Sequence, residues 1–342
     1  MKKNFSSILL FLAAMGIQTA YSKEYTVSWV YEIPSHKPIV GAPVPWFGRI
    51  YFGAQDGSIY CVHYKSGNKV WEFATKKAID GSPYLNGSLL VAGSGDGYLY
   101  CLGIDYGDVR WKFQTAGAIS GTPCGKENEV YTASGDGTLY CVSMNDGKLI
   151  WKFKAKGPTE GSPVLSGEDV VIGDVLGYVY CLDRKKGTLK WTFTAGESIF
   201  ASPAADGINI YVGCRDNRLY CLEADTGGIV WMRQLESMAV TSPVVADGKL
   251  YIYSGGKLYC FDSFHGGLDW VVSSYYNPSS VPVIAKGTVY LSTGFEIIGI
   301  RGGKLAWKYE DAGSSFYATP AYYEGHVYAG TMEGKLYCIK GW

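Results

Sequence analysis

The chain has 342 residues and equal numbers of basic (Lys+Arg) and acidic (Asp+Glu) residues, 31 of each, so its formal net charge at neutral pH is zero. This balance lacks the basic excess that binding to a phosphate backbone requires, which argues against a nucleic-acid partner. The high content of glycine (45) and tyrosine (28) is typical of a turn-rich all-β protein and not of a disordered one.

The first 22 residues resemble a secretory signal. Lys2 and Lys3 precede the apolar run 8–15, and Ala20 and Ser22 are small residues suited to a cleavage site. The apolar run is too short to span a bilayer comfortably, so a cleaved signal is favoured over a membrane anchor, and no later segment could cross a membrane. We therefore predict an exported protein with a signal peptide over 1–22 and one domain over 23–342. No cysteine lies near the cleavage site, so no lipid anchor through an N-terminal Cys is expected.

A small-small-Pro motif recurs about every 40 residues after the signal. The eight copies are GAP 41–43, GSP 81–83, GTP 121–123, GSP 161–163, ASP 201–203, TSP 241–243, SVP 280–282 and ATP 318–320. Each copy precedes short apolar runs that are separated by Asp-Gly or other Gly-containing turns, a pattern typical of antiparallel hairpins. Four such strands per repeat predict the blades of a β-propeller.

Tryptophan residues indicate how the ring closes. Seven of them, Trp71, Trp111, Trp151, Trp191, Trp231, Trp270 and Trp307, each follow one of the first seven Pro motifs. The eighth repeat has no equivalent, whereas Trp29 stands before the first Pro motif. This offset predicts eight four-stranded blades, with residues 25–32 supplying the outer strand of the C-terminal blade and so protecting its edge.

Cysteine recurs at one repeat position, in segments such as "LYCL". Seven of the nine cysteines take this position, and Cys124 and Cys214 are extras. Equivalent third-strand positions of adjacent blades should lie about 13 Å apart, from the spacing of strands in a sheet. A disulfide needs Cα atoms within about 7 Å, so we predict free, buried thiols that are structural.

The repeats "LYCLDRKKGTLKWTF" (179–193) and "LYCLEADTGGIVWMR" (219–233) resemble the pyrroloquinoline-quinone-like (PQQ-like) propeller repeat, over residues 25–342. That family contains long quinone-dependent dehydrogenases, which hold the cofactor with calcium and often have a vicinal Cys-Cys pair. It also contains compact exported propellers without catalysis, such as the propeller subunit of the outer-membrane β-barrel assembly machine. The minimal blades and the lack of a Cys-Cys pair make this chain similar to the compact kind. The resemblance thus implies no cofactor, with pyrroloquinoline quinone and calcium expected only under the alternative.

No constellation of catalytic or metal-binding residues is identifiable in the sequence. The histidines at 36, 63, 265 and 326 share no repeat position and lack the spacing of metal ligands. The turn acids could ring one face and attract cations, although hairpin chemistry already explains the Asp residues. These acids are Asp56, Asp96, Asp136, Asp216 and Glu333.

The residue three positions before each motif proline varies around the ring, at the predicted mouth of the central channel. Polar side chains on blades two to four form a candidate polar arc, Asp80, Ser120 and Glu160. Larger apolar side chains there and in neighbouring loops form a candidate partner-binding arc, Val40, Phe200, Val240, Tyr275, Tyr276, Phe316 and Tyr317. An apolar surface beside a polar one is typical of a docking site, although these side chains could instead fold inward over the channel.

The sequence therefore predicts a non-catalytic, monomeric scaffold that binds a protein or peptide of the cell envelope through its inter-blade loop face, in envelope or outer-membrane protein assembly. Two alternatives stay open. One is a quinone-dependent dehydrogenase, and the other is a propeller that binds a small molecule or glycan at its mouth.

Overall fold

A computed structural model describes residues 26–239, 241–273 and 280–340. Within these ranges the chain forms 32 strands arranged as eight antiparallel sheets of four strands each, with no α-helix. Seven sheets take their strands in sequence order, and the eighth combines the first strand of the chain with the last three. The predicted eight-bladed all-β propeller is confirmed.

The strands of the first four blades have these bounds, from the channel outward. Blade 1 is β2 (Val44–Trp46), β3 (Arg49–Gly53), β4 (Ser58–His63) and β5 (Lys69–Ala74). Blade 2 is β6 (Tyr84–Asn86), β7 (Leu89–Gly93), β8 (Tyr98–Gly103) and β9 (Val109–Gln114). Blade 3 is β10 (Cys124–Lys126), β11 (Glu129–Ser134), β12 (Thr138–Ser143) and β13 (Leu149–Lys154). Blade 4 is β14 (Val164–Ser166), β15 (Asp169–Gly173), β16 (Tyr178–Asp183) and β17 (Leu189–Thr194).

The other four blades follow the same plan. Blade 5 is β18 (Ala204–Ala205), β19 (Asn209–Cys214), β20 (Arg218–Glu223) and β21 (Ile229–Gln234). Blade 6 is β22 (Val244–Ala246), β23 (Lys249–Ser254), β24 (Lys257–Asp262) and β25 (Leu268–Ser273). Blade 7 is β26 (Val283–Ala285), β27 (Thr288–Ser292), β28 (Glu296–Arg301) and β29 (Lys304–Glu310). Blade 8 is β30 (Ala321–Tyr323), β31 (His326–Gly330), β32 (Lys335–Lys340) and β1 (Val27–Glu32).

The turn acids hold the hairpins between the second and third strands. In blade 2 the Oδ1 atom of Asp96 accepts the Tyr98 backbone N–H at 3.0 Å, and its Oδ2 atom accepts the Tyr100 hydroxyl at 2.8 Å. Burial opposes ionisation of Asp96, but these hydrogen bonds prevail and hold its pKa below the ordinary value. Asp56, Asp136 and Asp216 accept the equivalent tyrosine hydroxyls in their own blades. The hairpin interpretation of these acids is confirmed.

Tryptophan side chains join neighbouring blades. The Trp71 indole N–H of blade 1 donates to the Ile104 carbonyl of blade 2 at 2.8 Å. The ring covers Gly107, where φ is +70° and a Cβ atom would lie only 2.7 Å from the indole. Glycine is therefore required at this turn both for its backbone angle and for the approach of the ring. Most of the other blade junctions repeat this contact.

The N-terminal strand closes the ring as predicted. β1 pairs antiparallel with β32, from Val27 opposite Ile339 to Glu32 opposite Lys335. Trp29 donates its indole N–H to the Tyr64 carbonyl of blade 1 at 2.9 Å, and its ring covers Gly67. The first and last blades are therefore joined by the same contact that joins most of the others. This closure protects the outer edge of the last three-stranded sheet.

The nine cysteines are free, as predicted, and eight of them are buried while Cys124 is half-buried. The repeat-position thiols sit opposite the blade tryptophans, for example Cys61 opposite Trp71. Burial raises the pKa of the Cys61 thiol to about 12, so it is protonated at neutral pH. These side chains act as small apolar residues in the space between blades.

We expect thiol reagents to label the native protein slowly, with Cys124 first, and to label all nine cysteines after unfolding. Buried, protonated thiols are poor nucleophiles, which is the reason for the difference. Mass spectrometry before and after denaturation measures both states. Masses showing several disulfides in the native protein would contradict the free-thiol assignment.

Candidate functional site

The channel opens on the face that carries the loops between blades and the hairpins between second and third strands, here called the mouth face. The opposite face carries the hairpins between first and second strands and the turns between third and fourth strands, and is called the base face. The Pro motifs place small residues at the start of the innermost strand of each blade, where the eight blades converge. The described residues three positions before the motif prolines therefore lie on the mouth face.

A ring of hydroxyl groups links the blades at the mouth. The middle residue of each Pro motif offers its backbone N–H to the hydroxyl of the next blade: Ala42 to Ser82 at 2.8 Å, and Ser82 to Thr122 at 3.0 Å. Four further bonds of this kind join Thr122 to Ser162, Ser162 to Ser202, Ser202 to Ser242, and Val281 to Thr319. Since Ala42 and Val281 have no hydroxyl, the ring cannot continue at these two blades.

Glycine before the hydroxyl residue lets adjacent blades come together. A Cβ atom added to Gly81 would lie 2.5 Å from the Gly121 carbonyl oxygen, and one on Gly41 would lie 2.8 Å from the Gly81 oxygen. Neither contact is possible, because both oxygens are fixed backbone atoms. The close approach of the innermost strands therefore requires small residues in the motif. These small residues leave the end of the channel open.

The mouth holds a cavity of about 350 Å³ above the hydroxyl ring. The three residues of the predicted polar arc, Asp80, Ser120 and Glu160, all line it. Asp80 accepts the Gln55 side-chain amide at 3.0 Å. Since blades 2, 3 and 4 supply these residues in turn, one side of the cavity is polar and acidic.

The structure describes only some residues of the predicted partner-binding arc. Val40 and Phe200 line the same cavity, and the Phe200 ring lies 5.2 Å from the Arg215 guanidinium in a cation–π contact. Tyr317 is exposed on the mouth face, with 38% of its surface accessible. Val240, Tyr275 and Tyr276 lie outside the described residues. Val40, Phe200 and Tyr317 therefore fit a docking surface on the mouth face.

Phe316 does not belong to that surface, and its assignment was wrong. Its backbone pairs with Gly294 in both directions, at 2.6 and 2.9 Å, and its side chain is completely buried. The ring packs on Tyr337 and Tyr309, with centroids 5.2 and 6.0 Å away. Phe316 stands four residues before its motif proline, the position that buried Ile39 takes in blade 1, so the repeat itself dictates an inward side chain.

Two further exposed apolar side chains were not predicted. Phe295 is 52% accessible and Met332 is 38% accessible, on the mouth-face hairpins of blades 7 and 8. Both lie beside Tyr317, because Gly294 pairs with Phe316 and the Met332 N–H donates to the Ser315 carbonyl at 3.0 Å. We call Phe295, Tyr317 and Met332 the apolar cluster. The signals that could have found them are the loss of Asp-Gly in blade 7, where the hairpin sequence is "TGFE", and a methionine directly before the Glu333-Gly334 pair that replaces Asp-Gly in blade 8.

Within 26–239, 241–273 and 280–340, no group of three or more His, Cys, Asp or Glu side chains is arranged to hold a metal ion. The histidines at 36, 63, 265 and 326 lie on four separate loops or strand ends. Glu333 accepts the Ser315 backbone N–H at 2.9 Å and so fixes the hairpin that carries Met332. The turn acids are thus explained by the fold.

No helix in the part of the chain that the structure describes is long and apolar enough to cross a membrane.

These features define the class of protein as an eight-bladed propeller of PQQ-like repeats. A family model described as outer membrane protein assembly factor BamB matches residues 55–176, 117–202 and 175–342. The chain belongs to this family. No curated protein sequence matches it significantly.

The fold is shared with solved structures that include the following three. BamB from Moraxella catarrhalis superimposes with a TM-score of 0.79 at 16% identity, over 92% of this chain and 99% of that one. The computationally designed Ika8 protein gives 0.81 at 16% identity, over 91% and 98%. Quinohemoprotein alcohol dehydrogenase from Comamonas testosteroni gives 0.78 at 13% identity, over 94% and 77%. At these identities the likeness shows the fold alone, and that fold serves both an assembly factor and an enzyme.

Proposed function

We propose that the protein is a non-catalytic, exported scaffold that binds a protein or extended peptide of the cell envelope through its mouth face. The observation that carries the proposal is that this face presents the polar arc of blades 2 to 4 and, separately, the apolar cluster of blades 7 and 8. Exposed aromatic side chains often supply most of the binding energy of a protein interface, while surrounding charges set orientation and association rate.

Membership in the BamB family supports a partner in the envelope and a role in assembly at the outer membrane. The scaffold itself is a closed ring, so partner binding need not change its fold. The polar arc beside the apolar cluster would orient a segment that crosses the mouth, with basic groups toward Asp80 and Glu160.

Changing Phe295 and Tyr317 together to Ala should reduce capture of the partner at least tenfold, because truncating two interface aromatics removes about 2 kcal/mol or more each. The measurement is crosslinking in intact cells followed by quantification of the captured partner. The matched control is Asp80→Asn with Glu160→Gln, which should mainly change the salt dependence of capture. Full capture by the aromatic variant, with unchanged thermal stability, would rule out the mouth face as the docking site.

Absence of catalysis is part of the same proposal. The six hydroxyl oxygens of the ring accept backbone N–H groups, and no histidine lines the cavity to activate them as nucleophiles. Asp80 and Glu160 stand on blades separated by blade 3, and no third carboxylate of the described residues lines the cavity with them. We expect no dye-linked oxidation of alcohols or sugars when pyrroloquinoline quinone and calcium are added to the purified protein. Measurable turnover would overturn the scaffold proposal in favour of a quinone-dependent dehydrogenase.

A further inference from the structure

Five aromatic side chains follow one another across the base face of blades 8, 1 and 2. Tyr106, in the turn between β8 and β9, is 82% accessible, and Phe47, at the tip of the hairpin between β2 and β3, is 77% accessible. The other three are half-buried. We call these five side chains the aromatic track: Tyr323, Tyr64, Trp46, Phe47 and Tyr106.

Contacts between neighbours make the track continuous. The Tyr323 and Tyr64 rings meet edge to face with centroids 5.6 Å apart. The Tyr64 backbone N–H donates to the Gly48 carbonyl, next to Phe47, at 3.2 Å. The Phe47 ring packs edge to face on Trp46 with centroids 5.1 Å apart, a contact that leaves most of Phe47 exposed. The rings of blades 8 and 1 therefore form one surface.

The charged groups beside Tyr106 cancel one another. The Arg49 guanidinium lies 3.4 Å from the Asp105 carboxylate and donates to the Asp105 carbonyl at 3.2 Å, which joins the blade 1 hairpin to the turn of Tyr106. Arg110 lies 3.1 Å from Asp108 in the same way. Two ion pairs with no net charge thus stand beside the ring, and they present both donors and acceptors of hydrogen bonds.

A cavity of about 240 Å³ lies at the other end of the track, between blades 8 and 1. Its lining combines hydroxyl, charged and imidazole groups over a buried thiol: Ser28, Tyr64, Lys65, Glu324, His326 and Cys338. The Glu324 carbonyl accepts the Nδ1–H of His326 at 2.9 Å, which leaves the Nε2 atom as an acceptor. Because Lys65 and Glu324 carry opposite charges, the cavity also combines donors and acceptors without a net charge.

We propose that the aromatic track binds a neutral, β-linked glycan chain, with one sugar of the chain in the cavity. The flat faces of such sugars present C–H bonds of partial positive charge, which stack on the negative face of an aromatic ring. Sugar hydroxyls both donate and accept hydrogen bonds, which matches the ion pairs beside Tyr106 and the few convergent polar groups of the cavity. This site is separate from the mouth face.

The charges and the shape of the track disfavour other classes of ligand. Anionic lipid surfaces and nucleic acids attract a basic excess, which the paired charges beside Tyr106 do not provide. A protein interface typically buries its aromatic anchors in well-packed, desolvated pockets. Phe47 and Tyr106 instead stand on projecting turns, next to ion pairs that are costly to remove from water. A glycan can contact successive rings while its outer side stays hydrated.

Isothermal titration calorimetry of the purified protein with a neutral probe, the β-linked hexamer of N-acetylglucosamine, tests the proposal. Phe47→Leu with Tyr106→Leu should weaken binding about tenfold, since leucine keeps an apolar side chain but has no aromatic face. Phe47→Tyr with Tyr106→Phe keeps both faces and should bind like the parent. The matched control is Leu176→Ala, an exposed apolar side chain of the mouth face, which should also bind like the parent.

Tryptophan fluorescence gives a second readout. The hexamer should change the emission of the parent protein, and Trp46→Phe should lose part of this change. Equal affinity of the leucine variant and the parent would overturn the proposal. So would a parent that fails to bind the hexamer, whether position 106 then crosslinks a protein or the protein sediments with phosphatidylglycerol vesicles. Loss of partner capture by the Phe295 and Tyr317 variants leaves hexamer binding unchanged, so the two proposals fail separately.

Discussion

Removing β1 is expected to open the ring and lower the stability of the whole propeller. Without residues 26–32, the edge of β32 loses its partner strand and Tyr64 and Gly67 lose their contact with Trp29. Trp29→Ala alone should cost about 3 kcal/mol in the free energy of unfolding, as for other large aromatic truncations. The full deletion should cost more and also promote aggregation through the exposed edge. Denaturant unfolding monitored by circular dichroism measures both changes.

The matched control for β1 is Tyr106→Ala, which removes an aromatic ring from a position that is 82% accessible. Its unfolding midpoint should equal that of the parent protein. A β1 deletion that unfolds at the same denaturant concentration as the parent would show that the closure contributes no stability.

Arg184 is expected to be the most sensitive single polar residue. Its side chain is fully buried between blades 3 and 4, where it contacts Glu129 and lies 3.1 Å from Glu127 and 2.8 Å from Glu168. Its own carbonyl accepts the Trp151 indole N–H at 2.7 Å. A buried cation is tolerated here because three carboxylates surround it.

Arg184→Ala should destabilise the protein by about 3 kcal/mol, because it leaves the mostly buried Glu129 carboxylate without its cation. Adding Glu129→Gln to Arg184→Met should recover part of the loss, since the double variant buries no unpaired charge. Thermal or denaturant unfolding of the single and double variants measures this coupling. Lys185→Ala, at the exposed neighbouring position, is the control and should be neutral.

The same network predicts a dependence on pH. The Lys126 ammonium, with a further contribution from Arg184, holds the pKa of Glu168 below its ordinary value. A lowered pKa in the folded state means that this contribution to stability is present above the ordinary pKa and is lost as the pH falls through the lowered value. The free energy of unfolding should be measured at decreasing pH for the parent protein and for Arg184→Met. It should fall less in the variant than in the parent.

The fold followed from the sequence because its anchors repeat. The offset between the Pro motifs and the tryptophans predicts both the blade count and the pairing of β1 with β32, since each anchor makes one contact that recurs around the ring. The repeat also dictates the Asp-Gly hairpins and the buried cysteines. Residues that recur at one spacing carry structural information that a single sequence can reveal.

The surface residues were harder to predict because they stand at positions where the sequence departs from the repeat. Phe316 and Tyr317 are adjacent aromatics, yet one is buried and the other exposed, and only the alignment on buried Ile39 separates them. Arg184 belongs to the sequence "DRKK", which is typical of an exposed turn. Its three glutamate partners lie elsewhere in the sequence of blades 3 and 4, so the sequence around Arg184 does not indicate that it is buried. The exposed aromatic residues Phe47 and Tyr106 lie on two turns that are adjacent only after the blades pack.

Photocrosslinking from single positions around the ring tests the central claim most directly. A photoreactive residue at 295 or 332 on the mouth face, introduced one at a time and activated in intact cells, should crosslink one protein partner. The same residue at 208 or 264 on the base face, where apolar side chains are equally exposed, should not crosslink that partner. Crosslinks to the partner from the base-face positions and none from 295 or 332 would contradict docking at the mouth.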